Sequence, residues 1–129
     1  MEDKDKTKFS VHKRIESFKY AFEGLKVLLR EEHNARIHLI VAAIVIIAGF
    51  AFNISAIEWL VICILIGMIL AMEIINSVVE NICDFISPEW NVNIKKIKDL
   101  MAAGVLIVAV VSVLCGIIIF APKIYYLIM

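Results

Sequence analysis

Polar and apolar residues are distributed along the chain on several different scales. Residues 1–8, MEDKDKTK, are polar and mixed in charge, which predicts a short disordered tail. From residue 9 a helical rhythm begins. Val11, Ile15, Phe18, Phe22, Leu25 and Leu29 are spaced four, three, four, three and four apart, so they form one stripe on a helix. Lys13, Arg14, Glu16, Lys19, Glu23, Lys26 and Arg30 fall largely elsewhere. The pattern predicts an amphipathic helix over residues 9–31. Such a helix can lie in a membrane interface with its basic groups near anionic headgroups; packing against protein is the other reading.

Three apolar runs follow. The first is expected at about 35–53 around LIVAAIVIIAGFAF, with Arg36 and His38 at its start, where long side chains can snorkel to the interface. A short turn without Lys or Arg leads to the second span, about 57–86. That stretch exceeds the ~20 residues a bilayer needs, so its last turns should reach the interface. Ser87-Pro88 ends it, because proline disfavours helix in the residue before it. Residues 87–98, SPEWNVNIKKIK, read as a polar, basic loop. The third span is expected at 97–121, apolar from Leu100 to Phe120 and closed by Pro122. The fold class is therefore an all-α membrane protein. A single domain over 9–129 joins one amphipathic surface helix to three transmembrane helices.

Composition agrees. Hydrophobic residues make up 62% of the 129 residues, with a mean hydropathy of +0.91, against roughly 45–50% apolar in soluble domains. A formal net charge of zero gives no reason to expect a nucleic-acid partner. The basic residues are lopsided, however. Nine of the thirteen precede residue 37, Lys95, Lys96 and Lys98 follow the second span, and Lys123 is the last. By the bias of Lys and Arg toward the cytoplasm, the N-terminus and second loop lie inside and the C-terminus outside. The first 35 residues contain no apolar h-region, so the first span is expected to serve as its own insertion signal. Cys63, Cys83 and Cys115 are odd in number and lack metal-ligand spacing, and they read as small buried hydrophobes.

One stretch breaks the apolar composition. Residues 73–84, EIINSVVENICD, place Glu73, Asn76, Glu80 and Asp84 near the end of the second span. At about 100° per residue they share an arc of roughly 80°, a polar seam running toward the cytoplasmic end. An intramembrane acid costs about 2.5–3.5 kcal/mol on insertion scales. Either the seam pairs with basic residues to hold helices together, or it binds something. Carboxylates on one face suit a hard cation, and Mg²⁺ is often held by one or two carboxylates plus substrate phosphates. Lys95, Lys96, Lys98, Glu31 and Glu32 flank the spans on the same side. Metal, Lys and carboxylate together are what phosphoryl transfer uses. The P-loop motif and the protein-kinase signatures are absent. Three spans are too few to enclose such a site, so a homo-oligomer is expected, with small residues at Ala102, Ala103 and Gly104 permitting close helix contact. An ion conductor or assembly protein could also use a polar seam. A lipid phosphatase would want an Arg-rich clamp, and only Arg14, Arg30 and Arg36 are present.

These residues resemble the small prokaryotic diacylglycerol kinases and undecaprenol kinases. EIINSVVENICD is similar to the family pattern E-x-x-N-[ST]-x-x-E-x-x-x-D, and SPEW, KKIKD, FKYAFEGL and REEHNARIH extend the likeness over residues 14–120. The resemblance implies a homotrimer with active sites shared between subunits, ATP as phosphate donor, Mg²⁺ as cofactor and a membrane lipid alcohol as acceptor. It implies Glu73 as the base that accepts the lipid hydroxyl proton, and Asn76 as its positioning partner. Glu32 and Glu80 would hold Mg²⁺ or its ATP complex. Tyr20, Glu89, Trp90, Asn91, Lys98 and Asp99 would contact the nucleotide. Lys13, Arg14, Asn34 and Arg36 would surround the lipid headgroup. Asp84 is read equally as a cap or ion pair at the helix end, and Trp90 as an interfacial anchor. REEHNARIH is more similar to the Gram-positive undecaprenol kinases, which implies a polyprenol acceptor, with diacylglycerol as the alternative. The setting implied is the inner membrane of a bacterium.

Overall fold

The computed structural model describes residues 9–129; the tail expected at 1–8 lies outside the described residues. Four helices follow in order: α1 (Val11–Glu31), α2 (His33–Ala51), α3 (Ala56–Ile86) and α4 (Val92–Ile128). The last three are long and apolar enough to cross a membrane. α1 forms a unit of its own, and the chain from Glu32 onward forms a second.

In α1, Ser10 begins the helix by accepting from the Lys13 backbone N–H at 3.4 Å. The apolar stripe through Val11, Ile15, Phe18 and Phe22 is exposed along its length. Arg14 lies over the Phe9 ring at 5.8 Å, and His12 faces Glu16 at 3.0 Å one turn on.

In the second unit α3 is the central element, packed against both α2 and α4. α2 buries Ala35, Ala42 and Gly49, seven residues apart, which puts small residues on one line and lets α3 approach closely. At Gly49 the approach is obligatory, because a β-carbon there would stand 2.6 Å from Trp59 Cη2. α3 buries Ile62, Ile69, Glu73 and Ser77. On α4, a β-carbon at Gly104 would touch the Met72 methyl at 3.0 Å, whereas Ala102 and Ala103 are exposed.

The apolar core sits at the end where α2 turns into α3. Ile54, Ile62 and Ile119 are buried there, with Phe52, Trp59 and Phe120 packed around them. The turn is tight: Asn53 takes a φ of 50°, a left-handed conformation that Asn tolerates better than most residues. Ser55 then starts α3 with a capping box, its hydroxyl accepting from the Glu58 N–H and its own N–H donating to the Glu58 carboxylate.

Two expectations about α4 are corrected. The helix begins at Val92, so Lys95, Lys96 and Lys98 stand on its first turns rather than in a loop. Asn91 is the reason: its side chain accepts from the Asn93 N–H at 2.8 Å and caps a helix inside a stretch whose composition reads as loop. Nor does Pro122 close the helix, which runs on to Ile128. Proline removes one backbone hydrogen bond. The next residue, Lys123, bonds Glu58 at the start of α3 at 3.0 Å and ties the continuing turns to the bundle.

Candidate active site

The polar seam runs along α3 from buried to exposed. Glu73 is 1% exposed, the most deeply buried large side chain among the described residues. Ser77 is buried, Asn76 and Glu80 are half-buried, and Asp84 is exposed. Glu73 shares its helix face with Ile62 and Ile69, which explains its burial: the line that packs the bundle continues through it. The charges of Glu32 and Glu80 both act on Glu73, so two further acids lie within its electrostatic reach. Glu32 occupies the N-cap of α2 with an extended backbone, yet its carboxylate makes no capping bond.

A seam that only holds helices together would pair each acid with a Lys or Arg. Asp84 fits that role, since Lys98 Nζ reaches its Oδ1 at 2.8 Å and joins the end of α3 to the start of α4. Glu73 does not. Its neighbour is His38 on α2, with Nε2 at 3.2 Å from Oε1, off the line of a hydrogen bond. Among the described residues neither Glu73 oxygen has a hydrogen-bond partner. A buried, unsatisfied carboxylate is costly and rarely idle.

At the end of α3 away from the α2–α3 turn, the turn between α3 and α4 folds around a pocket of about 300 Å³. Glu89, Trp90, Asn91, Lys98 and Asp99 line it, together with Asp84. Five residues expected at the nucleotide are thus brought together. Lys98 also lies within electrostatic reach of Glu80, so the pocket and the seam adjoin. Lys95 pairs with Asp99 at 2.6 Å. Asn34 and Arg36 are exposed on the first turn of α2. Tyr20, Lys13 and Arg14 are exposed on α1, in the other unit.

His38 is the residue that sequence reasoning missed. It does not snorkel but turns inward, 24% exposed, onto Glu73. The signal was there: position 38 lies on the same helix face as the buried Ala35 and Ala42. His38 also heads an apolar groove of about 340 Å³ formed by α2, α3 and α4.

Three helices of membrane-crossing length thus bury one acid, Glu73, on the face that packs them together. The model of the family described as prokaryotic diacylglycerol kinase matches residues 19–120, and the chain belongs to that family. It is 36% identical over 109 residues to the undecaprenol kinase of Bacillus subtilis, covering 84% of this chain and 89% of that one. It is 31% identical over 107 residues to the diacylglycerol kinase of Haemophilus influenzae, covering 82% and 91%. The diacylglycerol kinase of Synechocystis is 28% identical over 78% of this chain and 58% of its own length. The protein is a membrane lipid kinase.

Proposed function

We propose that this chain transfers the γ-phosphate of ATP to the hydroxyl of undecaprenol. The observation that carries the chemistry is Glu73, buried without a hydrogen-bond partner and flanked by the charges of Glu32 and Glu80. The hydroxyl proton of the lipid passes to Glu73 as the lipid oxygen bonds to the γ-phosphorus. The bond from that phosphorus to the bridging oxygen breaks, and ADP leaves. Asn76, one turn from Glu73, positions the carboxylate or the phosphate. Lys98 turns from Asp84 toward the phosphates, and Glu89, Trp90, Asn91 and Asp99 hold the nucleoside end in the pocket they line.

Glu32 and Glu80 are the residues that would hold Mg²⁺. The donor set fits a metal that arrives on the nucleotide. Two half-buried carboxylates lie within electrostatic reach of Glu73, and no group of three or more His, Cys, Asp or Glu among the described residues forms a closed metal cage. Mg²⁺ commonly takes one or two carboxylates and completes its shell with phosphates and water. When bound it supplies charge neutralisation at the phosphates. Lys13, Arg14, Asn34 and Arg36 are assigned to the lipid headgroup and Tyr20 to the nucleotide, on the strength of the motif resemblance. The working form is a homotrimer in the bacterial plasma membrane with shared sites, N-terminus inside and C-terminus outside.

The acceptor follows from the similarity to the Bacillus subtilis undecaprenol kinase. Diacylglycerol is the second reading, favoured by the Haemophilus and Synechocystis relatives. Side-by-side assays with labelled ATP and each lipid in mixed micelles decide between them. The proposal expects labelled undecaprenyl phosphate at the higher kcat/KM; a preference for diacylglycerol reverses the acceptor.

A further inference from the structure

Nothing in the proposed reaction yet uses His38. It stands in the second turn of α2, where an outward-facing histidine would meet the headgroups. Instead its Nε2 lies 3.2 Å from Glu73 Oε1, and neither Glu73 oxygen has an aligned hydrogen-bond partner among the described residues. It reaches that place because Ala35 and Ala42, one turn to either side on the same face, are small enough to let α2 close onto α3. His38 lines the apolar groove together with Ile37, Val41, Ala42, Ile66 and Ile69. His38 therefore lies between the buried acid and the groove.

We propose that His38 is the positioning residue of Glu73, fixing the carboxylate so that one oxygen faces the incoming lipid hydroxyl. This rests on the lipid-kinase reading above. With its proton on Nε2, the imidazole donates to Oε1 and leaves Oε2 to take the hydroxyl proton. No further covalent step is introduced. The proton ends on Glu73 and the phosphoryl group on the lipid oxygen, as in the reaction already described. At 3.2 Å the present contact has the reach of a hydrogen bond without its alignment. That is common for catalytic hydrogen bonds before substrate binds, which tighten in the reactive complex. The apolar walls contribute as well: a carboxylate screened from water has no solvent donor to replace the imidazole, so its rotation is free unless the ring holds it.

The test uses the full-length protein in mixed micelles with labelled ATP and undecaprenol. His38→Leu removes the donor and keeps an apolar side chain of similar reach. Its kcat should fall about 10- to 100-fold, the worth of one hydrogen bond to a charged group, with KM for ATP within about twofold. His38→Gln, whose amide nitrogen reproduces the reach of Nε2, should recover kcat to within about fivefold of wild type. A second readout is independent of turnover. The His38 ring ¹⁵N resonances of the wild-type protein should report a proton on Nε2, and Glu73→Gln should shift them.

Retention of kcat within about threefold in His38→Leu overturns the proposal, as does a His38→Gln variant no better than His38→Leu. Ring resonances unmoved by Glu73→Gln overturn it even if His38→Leu fails to fold. A wild-type protein that phosphorylates no lipid alcohol overturns the kinase reading, and a catalytic role for His38 with it. Loss of the ring shift in an active enzyme overturns the His38–Glu73 pairing alone.

Discussion

Replacing Glu73 by Gln removes the proposed base with almost no change of shape. The carboxylate is 1% exposed, so water has little access to deputise for it, and the amide oxygen of Gln can still accept from His38. The amide fills the same volume, and the variant should assemble and melt like the wild type. Its effect should therefore fall on the chemical step. General-base catalysis is worth about 10²- to 10⁴-fold, or about 3–5 kcal/mol at 1.36 kcal/mol per decade. Glu73→Asp offers a graded control, because shortening by one methylene withdraws the carboxylate by over an ångström, and a misplacement of that size can cost about 10²-fold. The measurement is label transfer from ATP to undecaprenol in micelles, with kcat and KM for ATP determined separately. The expected outcome is a collapse of kcat with KM for ATP nearly unchanged. A Glu73→Gln enzyme within about threefold of wild-type kcat would refute the base assignment.

Glu80→Ala should act differently, raising the Mg²⁺ and ATP concentrations needed for half-maximal rate by at least about tenfold, since even outer-shell partners of a metal are worth that much; unchanged titrations would remove Glu80 from the metal site. Gly49→Ala should destabilise the bundle by about 1–3 kcal/mol through overpacking, because the added carbon meets Trp59 Cη2 at 2.6 Å; thermal unfolding in detergent followed by Trp fluorescence would register it, and an unshifted midpoint would disprove the close approach. Single cysteines at Asn53 and Glu89, in a background lacking Cys63, Cys83 and Cys115, should label oppositely with an impermeant maleimide on intact cells, Asn53 at once and Glu89 only after permeabilisation. The reverse pattern would invert the orientation argued from the basic residues.

Much of the fold is local and was open to inspection in the chain itself. Three apolar runs of bilayer length set the number of membrane helices, and a helix fixes the angle between successive residues, so the alignment of Glu73, Asn76, Glu80 and Asp84 follows from spacing alone. Composition misjudged the ends of α4, because one Asn91 hydrogen bond can start a helix in polar sequence and one ion pair can help carry it past proline. What the tertiary structure decided is which partner each acid meets. Asp84 meets Lys98 across the α3–α4 turn, and Glu58 meets Lys123 at the far end, 65 residues along the chain. Glu73 meets His38 on the neighbouring helix. Periodicity assigns a side chain to a face of its own helix. It does not say how far the neighbouring helix is rotated or how near it comes. Those depend on small residues at Ala35, Ala42 and Gly49 acting together across the interface, and it is that closeness which leaves the Glu73 carboxylate dry and unsatisfied beside His38.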